Sequence, residues 1–113
     1  VNLGASLGET LKAWPEPVLI VSSSDMNHFE SAEATLRKDE QAIQEVLELD
    51  SRGLYDVVMR ERITMCGYAP TIVAIEASRI LGAKEGVLIG HTHSGAVTGE
   101  NQRVVGYAGI ALR

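Results

Sequence analysis

The sequence lacks the features that several large classes of protein require. It contains a single cysteine, Cys66, so no disulfide can form within the chain, and a reducing, cytoplasmic location is the simplest expectation. Basic residues are outnumbered 15 to 10 by acidic ones, for a net charge of −5, which argues against binding to nucleic acid and to anionic membranes. No apolar run approaches the length of a membrane span, and no Gly-rich phosphate-binding loop or Cys-x-x-Cys pair occurs.

The pattern that is present predicts one α/β domain over residues 1–113. Leucines at four-residue intervals predict a helix over 2–13, which the prolines of Trp14–Pro17 end. The run Val18–Val21 is β-branched and has no polar alternation, so it predicts a strand that is covered on both faces. Three helices follow, at about 32–49, from 50 or 51, and at 70–81. Two strands come after them, at 85–93 and at 103–112. The fold class is therefore α/β, with a layered mixed sheet flanked by helices. The strands are few compared with the helices, so we expect the chain to be part of something larger.

The first candidate site directly follows the predicted strand. Asp25 and His28 lie three residues apart on a strand-to-helix turn, so both side chains can point into one cleft. A carboxylate and an imidazole in this arrangement suit general acid–base catalysis or the support of a metal ion. The alternative is that Asp25 caps the next helix and that His28 is an ordinary surface residue.

Cys66 is the second candidate. It lies just before the helix predicted from Pro70, and the dipole and free N–H groups of a helix N-terminus favour a thiolate. A thiolate is a nucleophile or a soft metal ligand. The alternative is a buried cysteine that behaves as a small hydrophobic residue.

His91 and His93 are weaker candidates for metal binding. Residues two apart on a strand face the same side, so both imidazoles could reach one metal ion. The alternative is two half-exposed histidines on the surface of a strand.

Several short motifs occur in a fixed order along the chain. They are SSDMNHF at 23–29, RKD at 37–39, TMCGYAP at 64–70, SGAVTGE at 94–100 and VVGYA at 104–108. In this order they resemble the C-terminal part of the Memo family, known in prokaryotes as AmmeMemoRadiSam system protein B. The resemblance covers nearly the whole chain, which would then be a Memo-like C-terminal segment.

The resemblance implies the fold of class III extradiol dioxygenases and a pocket that binds iron or copper. Cys66 matches the family's cysteine ligand, and Asp25 and His28 match an acidic residue and a histidine that line the same pocket. The family's two further histidine ligands belong to an N-terminal half that is absent from this sequence. A tyrosine is common in prokaryotic members where His91 stands, so His91 is either a replacement ligand or the result of drift. A radical-SAM protein and an AMMECR-type protein are the implied partners.

Two main classes of function remain open. The first is a metal-dependent redox enzyme, or a component of one, with Cys66 as ligand and Asp25 and His28 as acid–base or supporting groups. The second is a non-catalytic module that keeps the scaffold and binds a protein partner. A hydrolase that uses Cys66 with His28 is a third alternative.

Two expectations concern the chain by itself. We expect it to bind metal weakly, because it supplies few of the ligands that a tight site needs. We also expect a homo-oligomer, because the last strand has apolar side chains on both faces and little charge to prevent pairing of its edge.

Overall fold

The computed structural model describes residues 2–113, which form five helices and three strands. The helices are α1 (Asn2–Lys12), α2 (Ala32–Leu47), α3 (Ser51–Arg60), α4 (Tyr68–Ile80) and the single turn α5 (Gly95–Thr98). The strands are β1 (His28–Glu30), β2 (Gly86–His93) and β3 (Val104–Leu112). The layered α/β class is thus confirmed, with each long predicted helix within a few residues of its place.

Local signals in the sequence explain where the helices begin and end. The Ser31 side chain accepts a hydrogen bond from the Ala34 amide at 3.2 Å and begins α2. Asp50 begins α3 in the same way, through a bond of 2.8 Å from the Gly53 amide. After α4 the chain turns at Gly82, whose φ of +102° suits glycine.

The three strands form one antiparallel sheet in the order β1-β3-β2. β3 pairs with β2 along most of its length and with β1 only at Val104 and Val105. A β-bulge interrupts β2 between Leu88 and Gly90. The short strand β1 was not predicted, because three residues of mixed polarity carry no periodic signal.

The strand predicted at Val18–Val21 does not form. Within residues 2–113 this run makes no backbone hydrogen bond, and Leu19 and Val21 are 86% and 78% exposed. A β-branched run adopts a strand only where a neighbouring strand supplies hydrogen-bond partners, and no strand within residues 2–113 is hydrogen-bonded to this run. The prediction was therefore wrong about this element, although the run leads to the predicted site.

A groove separates this run from β3. Gly106 exchanges backbone hydrogen bonds with Met26 and Asn27, whereas Arg113 exchanges them with Glu85 on the β2 side. Because backbone groups alternate in direction along a strand, those of Ala108, Ile110 and Leu112 also point away from β2. These groups have no partner within residues 2–113. The groove has a volume of about 640 Å³ and is lined mainly by apolar side chains, among them Val18, Ile20, Val46, Met65 and Ile110.

The helices stack outward from the sheet in successive layers. α2 packs on β2 and β3, α3 packs on α2, α4 on α3, and α1 on α4. The core lies between these layers and includes the fully buried Leu54 and Ile75. α1 approaches α4 closely through Gly4 and Gly8, where an added Cβ would lie 2.5 Å and 2.6 Å from the Cβ atoms of Glu76 and Ile80. No helix within residues 2–113 is both long and apolar enough to cross a bilayer.

Candidate metal centre

Asp25, His28 and Cys66 meet at one place. Their carboxylate, imidazole and thiol donor atoms all lie within 4.8 Å of one another. Asp25 and His28 come from the segment that enters β1, and Cys66 comes from the loop before α4. The structure therefore brings the three residues to one place, as the family resemblance implies for the pocket that they line.

The His28 ring is held in one orientation by the backbone. Its Nδ1 lies 2.6 Å from the carbonyl oxygen of Thr64. Because a carbonyl oxygen can only accept, Nδ1 carries a hydrogen, and in the neutral ring Nε2 presents its lone pair. Nε2 faces the Asp25 Oδ2 at 3.4 Å. A ring that donates one N–H to a carbonyl and offers the other nitrogen is the usual arrangement of a metal-ligating histidine.

The loop that carries Cys66 is docked against the serines that precede Asp25. The Gly67 amide donates to the Ser24 Oγ at 2.8 Å, and the Cys66 Sγ lies 3.8 Å from the same oxygen. A Cβ at position 67 would lie 2.6 Å from the Ser24 Cβ and 2.7 Å from the Ser23 carbonyl oxygen. Only glycine permits this close approach, which explains why glycine follows the cysteine.

The donor set fits a transition metal. A carboxylate oxygen and an imidazole lone pair 3.4 Å apart repel one another unless a cation, either a proton or a metal ion, lies between them. Two ligands on one tetrahedral metal ion are about 3.5 Å apart, from metal–ligand distances of about 2.0–2.3 Å. The three donors, within 4.8 Å of one another, are near this spacing, and Cys66 is exposed and leaves an approach open.

The structure contradicts the alternative, non-functional placements of these three residues. Ser31, and not Asp25, caps α2. Cys66 is exposed, so it is not a buried hydrophobic residue. His28 is partly buried and hydrogen-bonded to Thr64, so it is not a free surface histidine.

His91 and His93 lie elsewhere on β2, and the cluster of donors in the described part of the chain does not include them. His91 Nε2 lies 2.9 Å from Oδ2 of Asp39, a carboxylate that is completely buried. Burial raises the pKa of the Asp39 carboxyl, and the hydrogen bonds from His91 and Asn27 oppose that rise. His93 Nδ1 is buried and has no hydrogen-bond partner among residues 2–113.

Sequence reasoning missed Asp39 and Asn27, the buried polar residues behind the site. Asp39 had a detectable signal, because it falls at four-residue spacing between Thr35 and Ile43, on the inward face of α2. A charged residue on an apolar face indicates a buried pair. Asn27 carries no comparable signal, because a single asparagine on an irregular segment fits many roles.

One short pattern in the sequence is accounted for by the fold. Residues 4–8 read Gly-Ala-Ser-Leu-Gly, which matches the Gly-x-Ser-x-Gly pattern of hydrolases. That motif acts on a sharp turn between a strand and a helix, whereas Ser6 lies inside α1. Ser6 therefore does not have the setting of a nucleophile.

Comparison with known proteins gives a consistent result. Residues 1–111 match the family model described as Memo-like protein. The chain is 41% identical over 109 residues to a MEMO1 family protein of Aquifex aeolicus, which covers 96% of this chain and 40% of that protein. It is 42% identical over 90 residues to a MEMO1 family protein of Saccharolobus solfataricus, covering 80% of this chain and 31% of that one.

A third relative extends the similarity to a methanogen. A MEMO1 family protein of Methanocaldococcus jannaschii is 35% identical over 108 residues, which covers 96% of this chain and 38% of that protein. The chain thus spans about two fifths of the length of the curated relatives it matches.

Proposed function

The chain belongs to the Memo family, and from this premise we propose that it supplies Asp25, His28 and Cys66 to the pocket of a metal-dependent, dioxygenase-like redox protein. The observation that carries the proposal is the grouping of the three donors within 4.8 Å. The fixed His28 ring supports it, because Thr64 holds the ring with Nε2 facing Asp25 at 3.4 Å.

Each residue has a distinct role in this proposal. Cys66 ligates the metal through its thiolate, a soft ligand that suits copper(I) and iron. Asp25 and His28 complete the ligand set or act as an acid–base pair, since Nε2 and Oδ2 at 3.4 Å can share one proton beside the metal. Iron or copper bound there would supply one-electron chemistry.

Three donors make an open site. Catalytic metal sites often have three protein ligands and one free position, and the family resemblance implies two more histidines from a part of the protein outside this sequence. We therefore expect weak binding by this chain alone and tighter binding when those ligands are present. His91 and His93 lie outside the donor cluster of the described residues and supply no ligand in this proposal.

The resemblance also supplies the partners and the location in this proposal. We include a radical-SAM protein and an AMMECR-type protein as partners, and a cytoplasmic location. An exposed Cys66 supports the location, because a solvent-accessible thiol persists best in a reducing compartment.

We also propose that the chain forms a homo-oligomer through β3. The unpaired backbone groups of Ala108, Ile110 and Leu112 form an open strand edge beside the groove. Two copies can pair these edges antiparallel about a two-fold axis, so that each supplies the same residues. Arg113 is the nearest charge at the end of this edge.

A non-catalytic interaction module is the second candidate function. The groove favours it, because an extended peptide that entered there would find unpaired backbone groups on β3 and apolar side chains such as Val46 and Met65. In that case the three donors would be a remnant of the family's pocket with no role in binding.

Titration of the purified 113-residue chain with Fe(II) and Cu(I), without oxygen, tests the metal proposal. We expect weak binding of one ion per chain, and Cys66→Ala or His28→Ala should lower the affinity by more than about 100-fold, beyond the loss typical of a supporting residue. His93→Ala is the matched control and should bind like the wild type. Absence of any stoichiometric binding would favour the interaction module, and rapid alkylation of Cys66 without metal would favour the hydrolase.

A further inference from the structure

Asn27 is a fully buried polar residue between Asp25 and His28, and each of its polar groups has a partner. Its amide donates to Asp39 Oδ1 at 2.9 Å, and its carbonyl accepts from Gly106 N at 2.9 Å. Its side-chain Oδ1 accepts from both the backbone N and the Oγ1 of Thr64, each at 3.0 Å. Its Nδ2 donates to Glu30 at 2.5 Å.

Thr64 connects Asn27 to the site from the other side. The Thr64 Oγ1 accepts from the His28 amide at 2.7 Å, and the Thr64 carbonyl accepts from the His28 ring at 2.6 Å. Thr64 is also two residues before Cys66. One threonine, held at two atoms by Asn27, therefore sets the position of the His28 ring and of the loop that carries the thiol.

We propose that Asn27 is the positioning residue that holds His28 and Cys66 in register with each other. Asn27 touches neither donor atom directly and acts through Thr64. The inference rests on the proposed metal pocket for its consequence, which is ligand geometry, although the positioning itself is a property of the metal-free chain.

Asp39 and Gly106 show that Asn27 is itself anchored. Asp39 is fully buried on α2, and its second oxygen is occupied by His91 at 2.9 Å. A Cβ at position 106 would lie 1.8 Å from Asp39 Oδ2, so β3 must carry glycine there for the carboxylate to reach Asn27. The backbone of Asn27 is thus held between a helix and a strand, and its side chain extends from that support to Thr64.

A purely structural role for Asn27 predicts lost stability with an unchanged metal site, and Co(II) titration distinguishes the two. We expect Asn27→Ala to weaken Co(II) binding about 10- to 100-fold, as for other residues that orient ligands. We also expect it to alter the thiolate-to-cobalt absorption band. Ser31→Ala is the control, because it removes the cap of α2 and lowers stability without touching this network. Equal affinity and an identical spectrum in Asn27→Ala and Ser31→Ala would overturn the proposal.

Thr64→Val keeps the experiment decisive if Asn27→Ala does not fold. It removes the hydroxyl between Asn27 and His28 and keeps the Thr64 backbone bond to Asn27. We expect its Co(II) affinity to fall below that of the wild type and its thiolate-to-cobalt absorption band to change. Wild-type affinity and spectrum in Thr64→Val would count against positioning through Thr64.

A second measurement needs no metal, so it separates this inference from the metal proposal. In the wild type, the His28 Nδ1 proton should give a slowly exchanging NMR signal, because the Thr64 carbonyl holds it. The signal should disappear in Asn27→Ala and persist in Ser31→Ala. If the wild type binds no Co(II), the metal pocket fails, and this signal alone decides the role of Asn27. Its persistence in Asn27→Ala would refute that role.

Discussion

The segment from Val18 to Glu30 passes beside β3, but its two halves are held in opposite ways. The half that contains Asn27 is polar and is hydrogen-bonded through Met26 and Asn27 to α2, β3 and the Thr64 loop. The half at Val18–Val21 is apolar, makes no backbone hydrogen bond within residues 2–113 and exposes Leu19. The polar half finds all its partners inside this chain, whereas the apolar half needs partners that the described residues do not supply.

The two halves differ in whether residues of this chain satisfy their hydrogen-bonding groups. A buried polar network is stable only when every member is satisfied, and this chain satisfies Asn27 and Asp39 by itself. An apolar strand can remain partly exposed at a modest cost in free energy, because solvent satisfies its backbone groups. Two of the three candidate metal donors, Asp25 and His28, belong to the satisfied half.

Gly106→Ala should have the largest effect on stability, because it disrupts the hydrogen bonds of the polar half. The new Cβ would lie 1.8 Å from Asp39 Oδ2, so either the carboxylate or β3 must move and the bonds to Asn27 break. We expect a loss of about 3 kcal/mol or more in the free energy of unfolding, from overpacking and the broken hydrogen bonds of a buried carboxyl group. Urea denaturation measures it. Gly109→Ala on the same strand, where the nearest atom is 4.0 Å away, should change little, and equal losses would contradict the explanation.

His91→Ala should have the next largest effect on stability. It leaves Oδ2 of the buried Asp39 without its partner, which costs about 1–3 kcal/mol. His93→Ala, two residues away on the same strand, breaks no side-chain hydrogen bond that the structure describes and should cost clearly less. Thermal denaturation of the two variants compares them, and a larger loss for His93→Ala would show that the Asp39–His91 pair is unimportant.

Ala108→Pro tests the open edge of β3, which faces the apolar half across the groove. The Ala108 amide points into the groove and not toward β2, so proline removes no bond of the β2–β3 ladder and blocks pairing along the open edge. We expect the homo-oligomer to dissociate to the 12.1 kDa monomer in sedimentation experiments at micromolar concentration. A wild-type chain that is already monomeric at every concentration would remove the basis of the proposal.

The smallest expected effect is on the pH dependence of stability. Burial raises the pKa of Asp39 above its ordinary value of 3.8, so the folded protein holds that proton more tightly than the unfolded chain. The free energy of unfolding should therefore fall as pH rises from about 4 toward the raised pKa, and the favourable contribution is complete only below that range. Asp39→Asn should flatten this slope, and the exposed Asp56→Asn should not. Identical slopes in the two variants would contradict the assignment.

Much of the fold could be predicted from the sequence, because its signals are local. The Asp50 cap, the end of a helix before Gly82 and the two final strands all depend on residues close together in the chain. The donors Asp25, His28 and Cys66 could be identified because each stands at a break beside an apolar element.

The rest depends on partners that are distant in sequence. Val18–Val21 has the composition of a strand, but composition does not reveal whether a neighbouring strand exists. The bond between His91 and Asp39 joins residues 52 positions apart, and no periodicity reports such a pair. Asn27 is informative only when its bonds to Thr64 and Gly106 are known.

The close contact of α1 with α4 has a consequence for how the chain folds. An isolated helix of 11 residues is marginal in water, and each interior glycine makes it less favourable by about 1 kcal/mol. Gly4 and Gly8 thus make α1 a poor helix alone and a close-fitting one only against Glu76 and Ile80. α1 should therefore form and dock in a single cooperative event after α4 is in place, and its helical state reports whether the α4 surface is complete.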